Sequence, residues 1–336
     1  MKPAQEIAEA QVIPAISRRT FLGRAAVIGA GSLAGGLAAD GARAAVVADQ
    51  GSWQIGCWTR PWMNHDYHVA LDAVAEAGIK YVGLMNTTHP GSKSSGWRPE
   101  NMIVSYRDPL SKASRVAEEV QQRGLKVAFY YGGLMGAKNR ASAVADFRHV
   151  IDICATMKCG NVLMGGLAET RGPEYDMWLA AVAECCNYAA ENRVQMMIKP
   201  HGGVGATGPQ LRKAIEKVNH KSFSVLYDAG NIMYYSDGKV DPVADAATLH
   251  GLVSGWCIKD YMPPRAADVT SGKTKGNVDF TPGTGKVDFK AVFAELQKGG
   301  FVSGPLMIET LSNGDLPYLL AEAKKVRQFV ESLVRN

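Results

Sequence analysis

The sequence predicts a closed (β/α)8 barrel, and three observations carry the prediction. Beyond Trp53, short apolar runs alternate with amphipathic stretches eight times within about 280 residues, the size of such a barrel. The apolar runs are continuous rather than strictly alternating, as in parallel strands buried on both faces. Glycines stand where helical patterns hand over to strand patterns.

The expected strands cover residues 54–58, 81–85, 126–131, 161–164, 195–199, 222–227, 255–258 and 305–308. Each is rich in β-branched, aromatic or long apolar side chains and bounded by turn formers. Helical periodicity fills the gaps. Val69, Ala70, Ala73, Val74 and Ala77 recur at three- and four-residue steps, and Gly78 closes that helix. Further helices are expected at 111–122, 141–157, 178–192, 211–218, 242–252, 289–298 and 316–333. Gly78, Gly124, Gly160 and Gly300 each precede a strand region. An open doubly wound sheet fits less well, because no phosphate loop lies among these units. The one long loop, 86–106, contains His89-Pro90-Gly91. A loop of that length is usually functional.

Residues 1–44 are expected to be an export leader, and 45–336 the barrel. Ser17-Arg18-Arg19-Thr20-Phe21-Leu22-Gly23 precedes a small-residue apolar run at 25–39, and Ala42-Arg43-Ala44 offers a cleavage site. This resembles a twin-arginine signal. The resemblance implies recognition by the twin-arginine export machinery and a periplasmic location. The apolar run is too short for a stable membrane anchor. Val27-Ile28-Gly29-Ala30-Gly31 with Gly35 imitates a dinucleotide loop, and Asp49 imitates its ribose acid. The third glycine is one position late, however, and arginines stand where a buried strand should be.

Composition narrows the function. The chain has 336 residues, 46% hydrophobic and 21% charged, which is globular. Its formal charge is +5; the leader holds five of the 37 basic and three of the 32 acidic residues, leaving +3. No basic cluster with interleaved aromatics marks a nucleic-acid partner. The six cysteines fit neither a disulfide framework nor a zinc ribbon.

Barrel chemistry collects at the C-terminal strand ends. There the sequence places Thr59-Arg60, Asn86 with His89, Tyr131, Gly165-Gly166, Lys199-Pro200-His201, Asp228 with Asn231, Lys259-Asp260 and Glu309. Four motifs then occur in order: Tyr227-Asp228-Ala229-Gly230-Asn231, Ile258-Lys259-Asp260, Pro282-Gly283-Thr284-Gly285-Lys286-Val287-Asp288-Phe289 and Ile308-Glu309. With them the chain resembles the xylose isomerase-like barrels, which include sugar phosphate isomerases and epimerases. The resemblance implies a divalent metal held by Glu, Asp, His and Glu from strands five to eight. Asp228 and Glu309 match two of these. Lys199 stands in place of the first Glu, and Cys257 in place of the His.

Three readings of that departure stay open. A metal is kept by Asp228, Glu309, His201 and Cys257: Mn²⁺ or Mg²⁺ on oxygen and nitrogen, Zn²⁺ if the thiolate ligates. Alternatively the Lys199 ammonium replaces the metal. Or Lys199 loses its proton and forms a Schiff base with a sugar carbonyl.

The resemblance implies proton abstraction beside a sugar carbonyl, giving isomerisation, epimerisation or elimination. Glu309 is the expected base, with Lys199 and His201 as further catalytic groups. Asn231 and Lys259 are expected to hold sugar hydroxyls, with Asp260 orienting Lys259. Trp58 and Trp62 offer faces for a sugar ring, and His89 caps it. His65, His68, His149, His220 and His250 are expected to be solvated. Gly283-Thr284-Gly285 is expected to be a turn rather than a phosphate cradle. The expected ligand is a small carbohydrate, and family habit implies a homo-oligomer. The competing classes are a non-catalytic sugar-binding barrel, a metal-dependent nuclease and a nucleotide-dependent oxidoreductase.

Overall fold

The computed structural model describes residues 52–86, 101–132, 137–165, 172–270 and 275–335. The twin-arginine segment, the glycine decoy, His89 and Gly166 lie outside the described residues.

Eight parallel strands close into a barrel in chain order. They are β1 (Trp53–Trp58), β2 (Tyr81–Leu84), β3 (Lys126–Tyr131), β4 (Asn161–Leu163), β5 (Gln195–Ile198), β6 (Phe223–Tyr227), β7 (Val253–Ile258) and β8 (Gly304–Ile308). Register closes the ring where Trp53 pairs with Gly304 and Cys57 with Ile308. The helices are α1 (Tyr67–Glu76), α2 (Leu110–Gln122), α3 (Arg140–Thr156), α4 (Pro173–Glu191), α5 (Gly208–Val218), α6 (Ala229–Tyr235), α7 (Pro242–Ala247), α8 (Ala266–Thr270), α9 (Phe289–Lys298) and α10 (Leu316–Val334). No helix among the described residues is long and apolar enough to cross a membrane.

All eight expected strands form. The helices differ in several places: α4 begins at Pro173, before the expected 178, and no helix was expected at α8. The stretch expected as one helix at 242–252 stops at Ala247. The short α6 follows β6 directly, because the Asp228 side chain accepts from Asn231 N and caps it. Gly160 does not take the left-handed role at the end of α3; Lys158 does, at φ 53°. Gly78, Gly124 and Gly300 do adopt positive φ, as expected.

Two apolar shells result from the two-residue alternation of strand side chains. The outer shell joins the strands to the helices and contains Val74, Phe147, Trp178, Ile215, Trp256 and Val326. The inner shell fills the barrel with Trp58, Phe129, Leu163, Met197, Leu226, Cys257 and Met307. Gly83 makes room for it, since a Cβ there would meet the Trp58 ring at 2.5 Å. All six cysteines are buried free thiols.

Asp245 on α7 ties two elements to β6. Its Oδ2 accepts from Gly208 N at 2.8 Å, at the start of α5. The Tyr227 hydroxyl lies 3.3 Å from its Oδ1 and 2.6 Å from Pro242 O. Burial pushes the Asp245 carboxyl up to about 6, although the Gly208 and Tyr227 contacts oppose this. An acid raised in the folded chain holds more protons folded than unfolded, so stability falls as pH rises from about 4 to about 6. The rise corresponds to on the order of 3 kcal/mol. Thermal unfolding of the protein and of Asp245→Asn across that window should show the stability gap shifting in favour of the variant toward neutral pH. Parallel curves would show that Asp245 does not titrate there.

Candidate active site

Four side chains project from the first residues beyond β5 to β8: Lys199, Asp228, Lys259 and Glu309. Alternation stacks them on the inner shell, because Met197, Leu226, Cys257 and Met307 stand two residues earlier. All four are buried.

Glu309 is the hub. Lys199 Nζ donates to its Oε2, and Lys259 Nζ donates to its Oε1 at 2.5 Å. Arg60 Nη1 reaches the same Oε1 at 3.2 Å, and the Cys257 thiol donates to Oε2 at 2.9 Å. Burial alone would raise the Glu309 pKa, but Lys199, Lys259 and Arg60 outweigh it and hold the carboxyl well below the usual range. Arg60 also donates to Asp279 at 2.7 Å, tying the end of β1 to the loop after β7.

Asp228 Oδ1 accepts from Asn231 N at 2.8 Å. Its Oδ2 accepts no hydrogen bond among the described residues. Charge alone holds it, with Lys199 Nζ at 3.1 Å and Lys259 Nζ at 3.7 Å. Burial pulls the Lys199 pKa down, but the carboxylates of Glu309 and Asp228 more than offset this, and the net shift is well upward. Burial, then Asp228 and Glu309, push the Cys257 thiol well above its ordinary value. A neutral thiol fits its role as a donor to Glu309, so the two carboxylates keep Lys199 protonated. A protonated amine is no nucleophile until it gives up that proton.

His201 follows two residues after Lys199. The residue is exposed. Protein around the ring still removes water from it, and Lys199 and Lys259 add positive charge, so the imidazole pKa falls to about 4. His201 is therefore neutral at neutral pH. Its ring centroid lies 5.3 Å from that of Tyr235.

Several expected roles are corrected. Trp58 is 0% exposed and packs on Phe129 within the barrel, and Trp62 is 0% exposed in the outer shell. Neither offers a face to a ligand. Half-buried Tyr235 stands at the mouth instead, and a Cβ at Gly202 would meet its ring at 2.7 Å. Asn231 spends its amide inside the protein: Nδ2 donates to Pro200 O at 2.7 Å, and Oδ1 accepts from Lys259 at 3.3 Å. It positions the turn after β5 rather than sugar hydroxyls. Asp260 does not orient Lys259. Its carboxylate accepts from the backbone N–H groups of Tyr261, Gly283, Gly285 and Val287, at 2.8, 3.0, 2.7 and 3.1 Å. The Pro282–Val287 motif is thus a turn wrapped on a carboxylate, and its amides are not turned toward a phosphate. His68, His149, His220 and His250 are not simply solvated; each has a polar partner away from the mouth, at Asp66, Asp108 O, Asn187 and Glu295. Arg60 and Tyr235 belong to the site without having been assigned to it. Position after β1 was the available signal for Arg60; nothing in the sequence marked Tyr235.

Asp228, Cys257 and Glu309 each place one possible ligand atom within 4.8 Å of the others. That is a donor set for a divalent ion. His201 is not part of this group. The Lys199 ammonium lies among the same atoms, 3.9 Å from Cys257 Sγ and in contact with both carboxylates. A divalent ion held at about 2.0–2.3 Å from such donors needs the space that this ammonium fills. The residues present do not fit a divalent ion while Lys199 stays in place.

The chain belongs to the xylose isomerase-like TIM barrel family, whose pattern matches residues 71–333. An inosose dehydratase of Geobacillus thermodenitrificans (strain NG80-2) is 24% identical over 164 residues, 47% of this chain and 54% of that protein. An inosose dehydratase of Histophilus somni (strain 129Pt) is 27% identical over 171 residues, 48% and 55% of the two chains. The chain thus spans about half the length of the curated relatives it matches. Its fold superimposes on an L-ribulose 3-epimerase with a TM-score of 0.61 at 18% identity, covering 84% of this chain and 95% of that one. A xylose isomerase-like TIM barrel protein from Mycobacterium smegmatis, solved with magnesium, gives 0.62 at 15% identity, with 84% and 98% covered.

Removing the hub charge should be costly, because it leaves Lys199, Lys259 and Arg60 facing one another. Glu309→Gln is expected to lose about 3–5 kcal/mol of stability, the usual result of breaking a buried ion network on one side. Denaturant unfolding measures this. A loss below about 1 kcal/mol would show that the cations find other partners or water.

Proposed function

We propose that the protein is a carbohydrate enzyme that takes a proton from the carbon beside a sugar carbonyl. One observation carries the reading: two buried ammonium groups meet Asp228 and Glu309 at the strand ends, with the exposed His201 two residues beyond Lys199. Lys199 and Lys259 supply the positive field for an oxygen that becomes negative, and His201 accepts the proton. The C–H electron pair moves to form a C=C bond while the carbonyl π pair moves onto oxygen, giving an enediolate that the ammonium groups stabilise. Imidazolium returns the proton to the neighbouring carbon while the hydroxyl proton on the first carbon passes to the former carbonyl oxygen, giving isomerisation; a proton delivered by solvent to the opposite face, with the imidazolium losing its own to solvent, gives epimerisation. Protonating a β-hydroxyl instead expels water.

Loss of water from a keto sugar and inversion beside its carbonyl share this first step. The names of the relatives, inosose dehydratases and a ribulose 3-epimerase, accord with it. Glu309 anchors the ammonium groups, since a carboxylate bound by three cations is a weak base. The aromatic face for the sugar ring is Tyr235. The alternative is a non-catalytic sugar-binding barrel, favoured by the same locking of Glu309.

The proposal keeps 1–44 as a twin-arginine leader and 45–336 as a periplasmic barrel, on the strength of Arg18, Arg19 and Ala42-Arg43-Ala44. Replacing Arg18 and Arg19 by Lys should leave uncleaved protein in the cytoplasmic fraction. Cleaved protein in the periplasm of that variant would refute the route.

Solvent deuterium incorporation decides between enzyme and binder. A panel of keto sugars and inososes in D₂O should yield one substrate labelled at the carbon beside its carbonyl, read by NMR. Binding without labelling across the panel establishes the binder. His201→Gln should slow labelling about 10²–10⁴-fold while the exposed position leaves the fold intact. Because the imidazole titrates near pH 4, its protonation should cut the rate only toward pH 4. An acid limb near about 6.5, the ordinary histidine value, would show that Lys199 and Lys259 do not hold the ring down, and a limb that persists in His201→Gln would assign the base elsewhere.

A further inference from the structure

We infer that Lys199 is a built-in cation that closes a divalent-metal site, and that removing it opens that site. Asp228, Cys257 and Glu309 converge from three consecutive strand ends with their ligand atoms within 4.8 Å of one another. Such convergence of two carboxylates is repulsive unless a cation lies between them. Lys199 Nζ provides it, bonded to Glu309, 3.1 Å from Asp228 and 3.9 Å from Cys257.

Lys259 cannot do the same work alone. Its ammonium sits on the other side of Glu309, at Oε1, and 3.7 Å from Asp228. Asn231 holds it there. The donor triad therefore has one central position, and a side chain anchored at the end of β5 occupies it. A covalently tethered cation does not dissociate and does not exchange with the medium. As the electrophile of the proposed reaction, a role that rests on that reading, it makes the site independent of metal supply.

The substitution Lys199→Glu removes the ammonium and adds a fourth donor at the same position. Mn²⁺ or Zn²⁺ then meets Asp228, Cys257, Glu309 and the introduced carboxylate, a four-donor set of ordinary composition. Lys199→Ala leaves three donors and an open position.

The test is metal titration by calorimetry, with elemental analysis after dialysis, on the full protein freed of loosely bound ions by a chelator. The unaltered protein should show no saturable binding of Mn²⁺ or Zn²⁺ that Asp228→Asn removes. Lys199→Glu should bind one ion per chain, and adding Asp228→Asn should abolish it. If Lys199→Glu is unfolded without metal by circular dichroism, Zn²⁺ or Mn²⁺ must refold it, because binding to the folded state alone stabilises that state. One Asp228-dependent ion in the unaltered protein overturns the inference. So does Lys199→Glu and Lys199→Ala binding no more metal than the parent, or failing to refold with it. No substrate enters these measurements, so a barrel that merely binds sugar would still pass. Catalysis is decided separately by deuterium exchange.

Discussion

The site depends on one buried carboxylate held by cations from three parts of the barrel. Glu309 ends β8, and Lys199, Lys259 and Arg60 reach it from the ends of β5, β7 and β1. Each buried ion costs several kcal/mol of lost hydration, and only completed geometry offsets this. The network therefore acts as a register pin. A strand slipped by one residue would turn its charge into the helix-facing shell, where Trp178 and Phe289 leave no partner. The same pin concentrates charge at the strand ends, where Lys199 and Lys259 stand against Glu309 and Asp228, and Arg60 against Glu309 and Asp279.

A second carboxylate does a different job with the same strength. Asp260 stands beside Lys259 in the chain, yet points the other way and gathers four backbone N–H groups from its own turn and the 282–287 turn. Gly230 shows how tightly this corner is packed: a Cβ there would meet Lys259 O at 2.8 Å and Asp260 O at 2.9 Å. The Asp-Ala-Gly-Asn motif is thus explained by packing and capping. Asp228 caps α6, Gly230 lets that helix approach the end of β7, and Asn231 ties it to the turn after β5. Residues that look like ligand binders in a motif act here as scaffold, and the scaffold holds the lysines still.

The barrel was legible because its signals are local. Apolar runs at 126–131 and 195–198, and glycines such as Gly124, report strands and helix ends through periodicity and φ preference. The strand-end rule likewise located Lys199, Asp228, Lys259 and Glu309, since alternation fixes which side chains enter the barrel once the strand ends are known. What stayed illegible was the direction of each polar group. Trp58 reads as a sugar platform until its indole is seen filling the space that Gly83 leaves open. Tyr235 lies on a short helix whose start is set by a single capping contact, so no periodic pattern announces it.

The eight-fold alternation, the order of the elements and the cast of charged residues at the mouth are all written in the chain. These follow from hydrophobic pattern and turn chemistry, which act over a few neighbouring residues. It took the folded chain to place the Lys199 ammonium between Asp228 and Glu309, to give Asp260 to a loop and to point the Cys257 thiol at Glu309. These choices depend on distances between atoms far apart in the chain, such as the 52 positions from Cys257 to Glu309 and the 110 from Lys199 to Glu309. Electrostatic energy depends steeply on such distances and on the surrounding medium, and sequence spacing does not encode either.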